Sequence, residues 1–187
     1  MHLLVGLGNF GSQYLGTRHN AGFIAVDEIV AKYGLQPLGN KFNSCVWKGM
    51  IEGEQIVAIA PQTYMNKSGS AVLAAANFYK IPLEKIIVIH DDLDLLTGRI
   101  KVKRGGGNGG HNGLKDVDQL LGNNYMRVRI GIDRPNHASA VSSYVLHPFS
   151  SEERIIIDAS CDFIAQNITL ITQGLEQKFM NQFALKN

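Results

Sequence analysis

The chain has 187 residues, of which 45% are hydrophobic and 18% are charged, as in an ordinary globular protein. No apolar run approaches the roughly 20 residues that cross a bilayer, and the first residues lack the basic segment of a signal peptide. Cys45 and Cys161 are too few for a disulfide framework or a metal-ligand set, so we expect reduced side chains and a cytoplasmic protein.

The formal net charge of +2 is unevenly distributed along the chain. Residues 99–134 contain eight basic side chains and three acidic ones, which gives this stretch a local charge of +5. Such a patch on a nearly neutral protein indicates a polyanionic partner that binds one face. The alternative is a solvated strand edge whose Lys and Arg side chains discourage aggregation.

The first half of the chain predicts strands and helices in alternation. Residues 2–7 form an apolar run typical of a buried strand, and residues 20–33 carry the apolar stripe of a helix that Gly34 ends. A hairpin and an alanine-rich helix follow. Their predicted bounds are 44–51 and 55–60 for the strands and 68–79 for the helix.

The next elements are shorter. Residues 86–89 are four β-branched residues in a row, which is typical of a central parallel strand. Residues 99–103 alternate basic with apolar side chains and predict a half-exposed strand, and residues 126–132 alternate in the same way. In the second of these, Arg127 and Arg129 share one face. A short helix at 113–121 separates the two strands.

The C-terminal part predicts two helices. Ser150 and Glu153 match a capping box, in which each side chain binds a backbone N–H of the first helical turn. A long helix should therefore run from this point to about residue 172. A shorter helix follows Gly174.

Together these elements predict a single α/β domain over residues 1–187, with a mixed, mostly parallel twisted sheet flanked by helices on both faces. In such a sheet, ligands bind beyond the carboxyl ends of the strands. Polar residues follow these ends repeatedly, so we expect one cleft lined by a histidine, carboxylates and neutral amides. The candidates are Asn9, His19, Asn66, Asp91 and Asn112.

His19 and Asp91 have the chemistry of a general base and its orienting group. His19 lies near the start of a helix, where the helix dipole favours a neutral imidazole that can accept a proton. A carboxylate on the other ring nitrogen would fix the tautomer and raise the basicity, and Asp91 is the best candidate. The alternative is that His19 caps the helix and Asp91 begins a turn.

Residues 105–113 hold six glycines, which makes this loop costly to order. A loop of this composition offers free N–H groups to an anion or forms a mobile flap over a cleft. Lys103 and Arg104 add positive charge beside it. Asn112 is placed to cap the helix that follows.

Three further motifs have plainer interpretations. Residues 6–11 match the G-x-G-x-x-G fingerprint, but the helix begins only near Asn20, so a tight turn that presents Asn9 is favoured over a dinucleotide site. The acids that follow His90 lack the cysteine or helical histidine partners of a metal site. Asn66 or Ser68 is a candidate N-cap of the alanine-rich helix.

Five segments of the chain resemble bacterial peptidyl-tRNA hydrolase, in that family's order and spacing. They are GLGNFGSQYLGTRHNAG (residues 6–22), PQTYMNKSG (61–69), IHDDLDL (89–95), GGGNGGHNGLKD (105–116) and MRVRIGIDRP (126–135). The similarity covers nearly the whole chain, and five motifs in register are far more specific than any one of them. The family cleaves the ester between the C-terminus of a peptide and the 3′ ribose of tRNA, which rescues tRNA from prematurely released peptides.

The resemblance implies roles for the polar residues of the cleft. His19 would be the general base that activates water, and Asp91 would orient and polarise it. Asn9 would help recognise the peptide backbone. Asn66 and Asn112 would hold the substrate near the ester, and an amide N–H from either would steady the developing oxyanion.

The resemblance also implies contacts around the cleft. Tyr14 and Tyr64 would line the substrate site, and Lys103 and Arg129 would grip tRNA phosphate without reading sequence. The expected partner is peptidyl-tRNA, bound through its acceptor arm and its peptide. The resemblance implies a monomer that needs no metal or organic cofactor and no membrane.

Three positions depart from the family's usual pattern. Phe10 stands where proline is usual, Lys67 where an apolar residue is common, and Asp92 where glutamate is common. None of them removes an expected catalytic group. Two other functions stay open, a relative that binds RNA without hydrolysing it and a nucleotide-dependent oxidoreductase. The presence of His19 and Asp91 argues against the first of these.

Overall fold

The computed structural model describes residues 1–186, which form one α/β domain of seven strands and six helices. The strands are β1 His2–Gly6, β2 Gln36–Lys41, β3 Ser44–Ile51, β4 Glu54–Pro61, β5 Ile86–Asp92, β6 Ile100–Arg104 and β7 Met126–Gly131. The helices are α1 Ala21–Tyr33, α2 Ser68–Tyr79, α3 Asn112–Leu121, α4 Val141–Val145, α5 Ser151–Thr172 and α6 Glu176–Lys186.

The strands lie in one sheet, in the order β2-β3-β4-β1-β5-β7-β6. The four central strands, β4, β1, β5 and β7, are parallel to one another. Burial on both faces explains the nearly continuous apolar runs of β1, β4 and β5. The outer strands β2, β3 and β6 add antiparallel pairings at the two edges. The sheet is therefore mixed, as predicted, with a parallel centre.

Helices cover both faces of the sheet, which confirms the predicted arrangement. Side chains alternate along β1, so that Leu4 packs under α1 and α5 while Leu3 and Val5 pack under α2 and α3. All three side chains are fully buried. Burial of each such side chain contributes about 1.5–3 kcal/mol, so the central strand is fixed from both sides.

Local sequence signals place several helix ends correctly. Gly34, with a φ of 60°, ends α1 in the left-handed conformation. Ser150 and Glu153 form both hydrogen bonds of the predicted capping box at the start of α5. Two elements lacked such signals. The strand β2 is polar, contains Pro37 and is bulged before Gly39, so it exists because it pairs with β3. The helix α4 has only five residues.

The helix α5 has the length and composition of a membrane-crossing helix, and within residues 1–186 it is the one helix that does. Half of the apolar stretch of this helix is buried inside the protein. Ile164 and Ile168 are fully buried, and Phe163 packs against Phe179 of α6 with ring centroids 5.2 Å apart. Packing against α1, α6 and the sheet accounts for its apolar residues.

Candidate active site

A pocket of about 480 Å³ opens beyond the carboxyl ends of the central strands, where the sheet topology predicted a cleft. All five polar residues expected there line it: Asn9, His19, Asn66, Asp91 and Asn112. His90, His111 and the tip of the glycine-rich loop complete this part of the wall.

The position of His19 depends on a close approach of α1 to the strand ends. His19 lies in a 3₁₀ turn, Arg18–Asn20, that leads directly into this helix. A Cβ atom at Gly22 would overlap the Ile89 carbonyl oxygen and would lie 2.5 Å from the Leu7 nitrogen. Glycine therefore lets the start of α1 sit against β1 and β5, which brings His19 to Asp91.

His19 and Asp91 form a buried hydrogen-bonded pair. The His19 Nδ1 lies 2.9 Å from Asp91 Oδ2 and 3.0 Å from Oδ1. A carboxylate only accepts, so Nδ1 carries the proton and Nε2 holds a lone pair. No group of residues 1–186 hydrogen-bonds to Nε2, which is therefore free to accept a proton from water in the pocket.

Burial and charge act in opposite directions on this pair. Burial disfavours the imidazolium form of His19, but the Asp91 charge and hydrogen bond outweigh burial and raise the pKa of His19 above its ordinary value. Burial also opposes ionisation of Asp91, yet the neighbouring His19 and His111 hold the pKa of that carboxyl well below its usual range. Asp91 thus stays ionised and increases the basicity of His19.

Asp91 has a second imidazole partner, His111, which the sequence motifs left without a role. The His111 Nε2 lies 2.8 Å from Asp91 Oδ1, while its Nδ1 lies 3.1 Å and 3.2 Å from the backbone nitrogens of Gly113 and Leu114. Backbone amides donate, so Nδ1 accepts and Nε2 carries the proton. His111 is consequently the N-cap of α3, and the expectation that Asn112 caps this helix is wrong.

His90 is a third histidine of the site. It is buried, and its Nδ1 donates to the Asp91 carbonyl oxygen at 2.7 Å. Its ring packs edge-on against that of His111, with centroids 5.1 Å apart. Burial, with His111 nearby, lowers the pKa of His90 to about 3, so the ring is neutral. Its Nε2 is buried without a hydrogen-bond partner in the described part of the chain.

His19, Asp91 and His111 are the residues best placed to hold a metal ion, because their ligand atoms lie within 4.8 Å of one another. The hydrogen bonds do not favour such a use. Both ring nitrogens that face the carboxylate carry protons, and a cation would have to displace the two of them. The arrangement is that of a hydrogen-bonded chain centred on one carboxylate.

Asn9 is held so that its amide nitrogen is available. Its side-chain oxygen accepts a hydrogen bond from the Met65 backbone nitrogen at 2.9 Å, which fixes the orientation of the amide. Asn20, which the motifs had not singled out for function, holds the Asn9 backbone from both sides: its Oδ1 accepts from Asn9 N at 2.8 Å, and its Nδ2 donates to Asn9 O at 3.1 Å. Asn9 therefore presents an N–H donor to the pocket.

Asn66 and Asn112 reach the pocket from the starts of α2 and α3. The Gly69 backbone nitrogen donates to Asp116 Oδ2 at 2.7 Å, which ties the two helix N-termini together. No side chain of the described chain caps α2, so the expectation that Asn66 or Ser68 does so is wrong. Within residues 1–186 neither asparagine side chain forms a hydrogen bond, and both are free for a ligand.

The two candidate tyrosines differ in position. Tyr64 lines the pocket and is 63% exposed, which suits a side chain that contacts a bound ligand at the rim. Tyr14 lies in the 3₁₀ turn Ser12–Tyr14, outside the pocket lining. Its contact with substrate stays a prediction.

Lys103 and Arg129 lie on β6 and β7, and both are outside the pocket lining. Lys103 is exposed at the start of the glycine-rich loop. Arg129 Nε donates to Asp92 Oδ2 at 2.7 Å, and Asp92 lines the pocket. Arg129 is thus linked to the pocket wall by an ion pair, and Lys103 is the more available cation.

Arg127 shares the predicted face with Arg129, but it is buried and serves the fold. Its Nη1 donates to the Gly107 carbonyl oxygen at 2.7 Å, and its Nη2 donates to Asp118 Oδ1 at 3.0 Å. The Tyr125 hydroxyl donates to the same carboxylate oxygen at 2.6 Å. Arg127 therefore anchors the glycine-rich loop and is not available to a polyanion, although it contributes to the basic count of this segment.

A buried carboxylate–imidazole pair with one free ring nitrogen, in an open pocket, defines a hydrolase that activates water. No serine or cysteine of the described chain hydrogen-bonds to His19, so no covalent nucleophile is paired with this base. The remaining polar groups around the pair are mostly neutral amides, which suit a substrate rich in amide groups.

Known proteins agree with this class. The family model for peptidyl-tRNA hydrolase matches residues 3–187. A peptidyl-tRNA hydrolase of Rickettsia prowazekii (strain Madrid E) is 49% identical over 183 residues, which is 97% of this chain and 99% of that one. The crystal structure of peptidyl-tRNA hydrolase from Acinetobacter baumannii matches with a TM-score of 0.93 and 43% identity, over 97% of this chain and 93% of that one. The chain belongs to the peptidyl-tRNA hydrolase family, which confirms the resemblance carried by the five motifs.

Proposed function

We propose that the protein hydrolyses the ester between the C-terminus of a peptide and the 3′ ribose of tRNA, with His19 as the general base. The observation that carries this assignment is the free Nε2 of His19, held in a buried pair with Asp91 at the wall of an open pocket. An ester is activated enough for attack by a water molecule that an imidazole deprotonates. The reaction recycles tRNA from peptidyl-tRNA that ribosomes release prematurely.

His19 transfers one proton from the attacking water to the leaving oxygen, so it ends the reaction in its starting form. Water attacks the ester carbonyl carbon while His19 Nε2 takes one of its protons, and the carbonyl oxygen becomes an oxyanion. The bond from carbon to the ribose oxygen then breaks, and the proton on Nε2 passes to that leaving oxygen. The products are a peptide with a free carboxyl group and a tRNA with a free 3′ hydroxyl. Asp91 stays ionised throughout and stabilises the transient imidazolium.

The fixed amide of Asn9 supplies a donor for a peptide carbonyl oxygen. Because Met65 occupies its side-chain oxygen, Asn9 presents its Nδ2 and does not present an acceptor. A peptide or an N-blocked aminoacyl group offers a carbonyl oxygen to such a donor, whereas a free aminoacyl group offers an ammonium that it repels. This contact favours peptidyl-tRNA over aminoacyl-tRNA.

Asn66 and Asn112 are the candidates for stabilising the oxyanion. Their side chains reach the pocket unpaired from two helix starts, and each carries an N–H donor. Donors aimed at the place where negative charge develops act in the transition state more than in the bound substrate. Loss of one such donor costs about 10²–10³ in rate in other hydrolases.

Lys103 and Arg129 are proposed to bind phosphates of the acceptor arm. Arg129 is linked to the pocket wall through Asp92, and Lys103 is exposed on β6 just before the glycine-rich loop. Arg129 would exchange its Asp92 partner for phosphate, whereas Lys103 binds without losing an ion pair. We further propose that the enzyme acts as a cytoplasmic monomer and needs no metal ion, because water activation is supplied by His19.

The function is tested with two substrates in the presence of a chelator. The wild-type protein is mixed with N-acetyl-aminoacyl-tRNA or with the unblocked aminoacyl-tRNA, and release of free tRNA is followed. We expect rapid cleavage of the blocked substrate alone. If a folded protein binds tRNA but cleaves neither substrate, the hydrolase assignment fails and an RNA-binding function replaces it.

A further inference from the structure

The Asp91 carboxylate is shared unequally between two imidazoles. Its Oδ1 accepts from His111 at 2.8 Å and also lies 3.0 Å from His19, whereas its Oδ2 lies 2.9 Å from His19 alone. Asp91 is only 2% exposed, so no bulk water competes for these oxygens. The negative charge that Asp91 presents to His19 therefore depends on the strength of the hydrogen bond between Asp91 and His111.

His111 is an unusually constrained donor. Its Nδ1 accepts from two backbone amides at the start of α3, which fixes both the tautomer and the plane of the ring. The ring of His90 packs edge-on against it, with centroids 5.1 Å apart. As a result, the Nε2–H of His111 is held toward Asp91 by the helix and by a second ring.

We propose that His111 is a positioning residue, which locks the Asp91 carboxylate in one orientation and limits the negative charge that Asp91 presents to His19. The inference rests on the proposed function in taking His19 as the base. A donor on Oδ1 prevents rotation of the carboxylate, so Oδ2 stays aimed at His19. The same donor withdraws part of the charge, which keeps His19 from becoming too strong a base to release its proton to the leaving oxygen.

Few other charged or titratable groups face this cluster within residues 1–186. His90 and Asp92 come from β5, and Arg129 of β7 is paired with Asp92. Asp94 also lines the pocket and is paired with Arg134. None of these groups hydrogen-bonds to the Asp91 carboxylate or to the His19 ring. A change at His111 therefore acts on His19 through Asp91.

Two substitutions separate the two bonds of His111. An asparagine side chain places its oxygen close to where histidine has Nδ1, so His111→Asn keeps the helix cap and loses the bond to Asp91. A glutamine side chain reaches as far as Nε2 and carries an N–H there, so His111→Gln keeps the bond to Asp91 and weakens the cap. A role confined to capping and a role in positioning Asp91 thus predict opposite outcomes.

The test measures kcat, KM and the pH dependence of kcat for both variants on N-acetyl-aminoacyl-tRNA, together with thermal unfolding. For His111→Asn we expect a kcat lower by about tenfold, a nearly unchanged KM and an acid limb shifted up by about one pH unit, with some loss of Tm because Asp91 loses a buried hydrogen bond. For His111→Gln we expect a lower Tm with kcat and acid limb close to wild type. Wild-type kinetics in His111→Asn, or equal losses in both variants, would overturn the proposal.

A second readout is independent of activity. The titration of His19 followed by NMR should shift upward in His111→Asn and stay in place in His111→Gln. The absence of this difference contradicts the inference whether or not His19 is the base. Retention of activity by His19→Ala would instead contradict the proposed function and leave the NMR comparison intact.

Discussion

His19 and His111 are the same residue type in opposite tautomers, and their partners determine which nitrogen is free. A carboxylate oxygen faces Nδ1 of His19, so that ring leaves Nε2 for water. Two backbone amides face Nδ1 of His111, so that ring must donate from Nε2. One carboxylate and one helix start therefore assign a base and a donor to two chemically identical side chains.

Replacing Asp91 should move the pH dependence of the reaction. In wild type the base form of His19 is lost as pH falls through a pKa above its ordinary value of 6.5, so the acid limb of kcat should lie above that pH. In Asp91→Asn the raising effect disappears while burial remains, so the limb should move to lower pH. The rate should also fall by about 10²–10⁴, because the ring is no longer oriented or stabilised as imidazolium.

The control for that experiment is Asp158→Asn, which removes a carboxylate from an exposed pair on α5. Rates of both variants are measured across the pH range under single-turnover conditions. If the acid limb of Asp91→Asn is unshifted, a group other than His19 controls the pH dependence of kcat.

Asn20→Ala should weaken the preference for the N-blocked substrate over free aminoacyl-tRNA and leave the His19–Asp91 pair in place. Asn20 holds the backbone of Asn9 through two hydrogen bonds, and its loss lets the Asn9 amide turn away from the peptide. We expect kcat/KM for the blocked substrate to fall by about tenfold, the effect of losing about 1.4 kcal/mol of positioning. The comparison is Asn77→Ala, an exposed position on α2, and equal kinetics in the two variants would contradict this role for Asn20.

At the scale of single elements, apolar runs and caps located most of the secondary structure. The helix predicted at 68–79 and the strand predicted at 44–51 both have the predicted bounds in the structure. These patterns are local, so they can be recognised without knowing the fold. The strand β2 was missed because its stability comes from its neighbour β3 and not from its own residues.

The same distinction explains which site residues were found. His19 and Asp91 carry recognisable chemistry at strand and helix ends, so topology alone predicts that they meet. The bond from His111 to Asp91, the support of Asn9 by Asn20 and the burial of Arg127 depend on contacts between separate segments of the chain. Such contacts leave no periodicity in the sequence.

Gly22→Ala tests how α1 reaches the strand ends. The added Cβ would meet the backbone of Ile89 and Leu7, which belong to the sheet and its end and cannot move aside. We expect a loss of about 1–3 kcal/mol in the free energy of unfolding, measured with denaturant, and a slower reaction because His19 moves from Asp91. Gly107→Ala is the matched change, since its Cβ meets nothing within 4 Å. Equal stability of both variants would contradict the account.

At the scale of the whole molecule, the net charge of +2 conceals a separation of charge. The strands β6 and β7, with the glycine-rich loop and α3 between them, carry much of the positive charge. Under the proposed function, phosphate contacts made by this segment would position tRNA without selecting its sequence. Such contacts would let the enzyme accept many tRNAs, while the pocket amides would bind the peptide.

The proposed contacts with tRNA phosphates should make KM depend on the salt concentration. Rising ionic strength should raise KM, because bound counterions compete with phosphate contacts. Lys103→Ala should reduce the slope of log KM against log salt by about one. Lys32→Ala removes the same charge from an exposed position in the last turn of α1, at the far end of that helix from His19, and should keep the wild-type slope. A slope unaffected by Lys103→Ala would remove this residue from the tRNA contact.

The most direct measurement of the central claim is the single-turnover release of tRNA from N-acetyl-aminoacyl-tRNA by wild type, His19→Ala and His137→Ala. His137 is an exposed histidine outside the pocket lining and controls for the loss of an imidazole. We expect a rate lower by about 10²–10⁴ for His19→Ala alone, with tRNA affinity and Tm preserved. A His19→Ala protein that cleaves within tenfold of wild type would contradict the role of His19 as the general base.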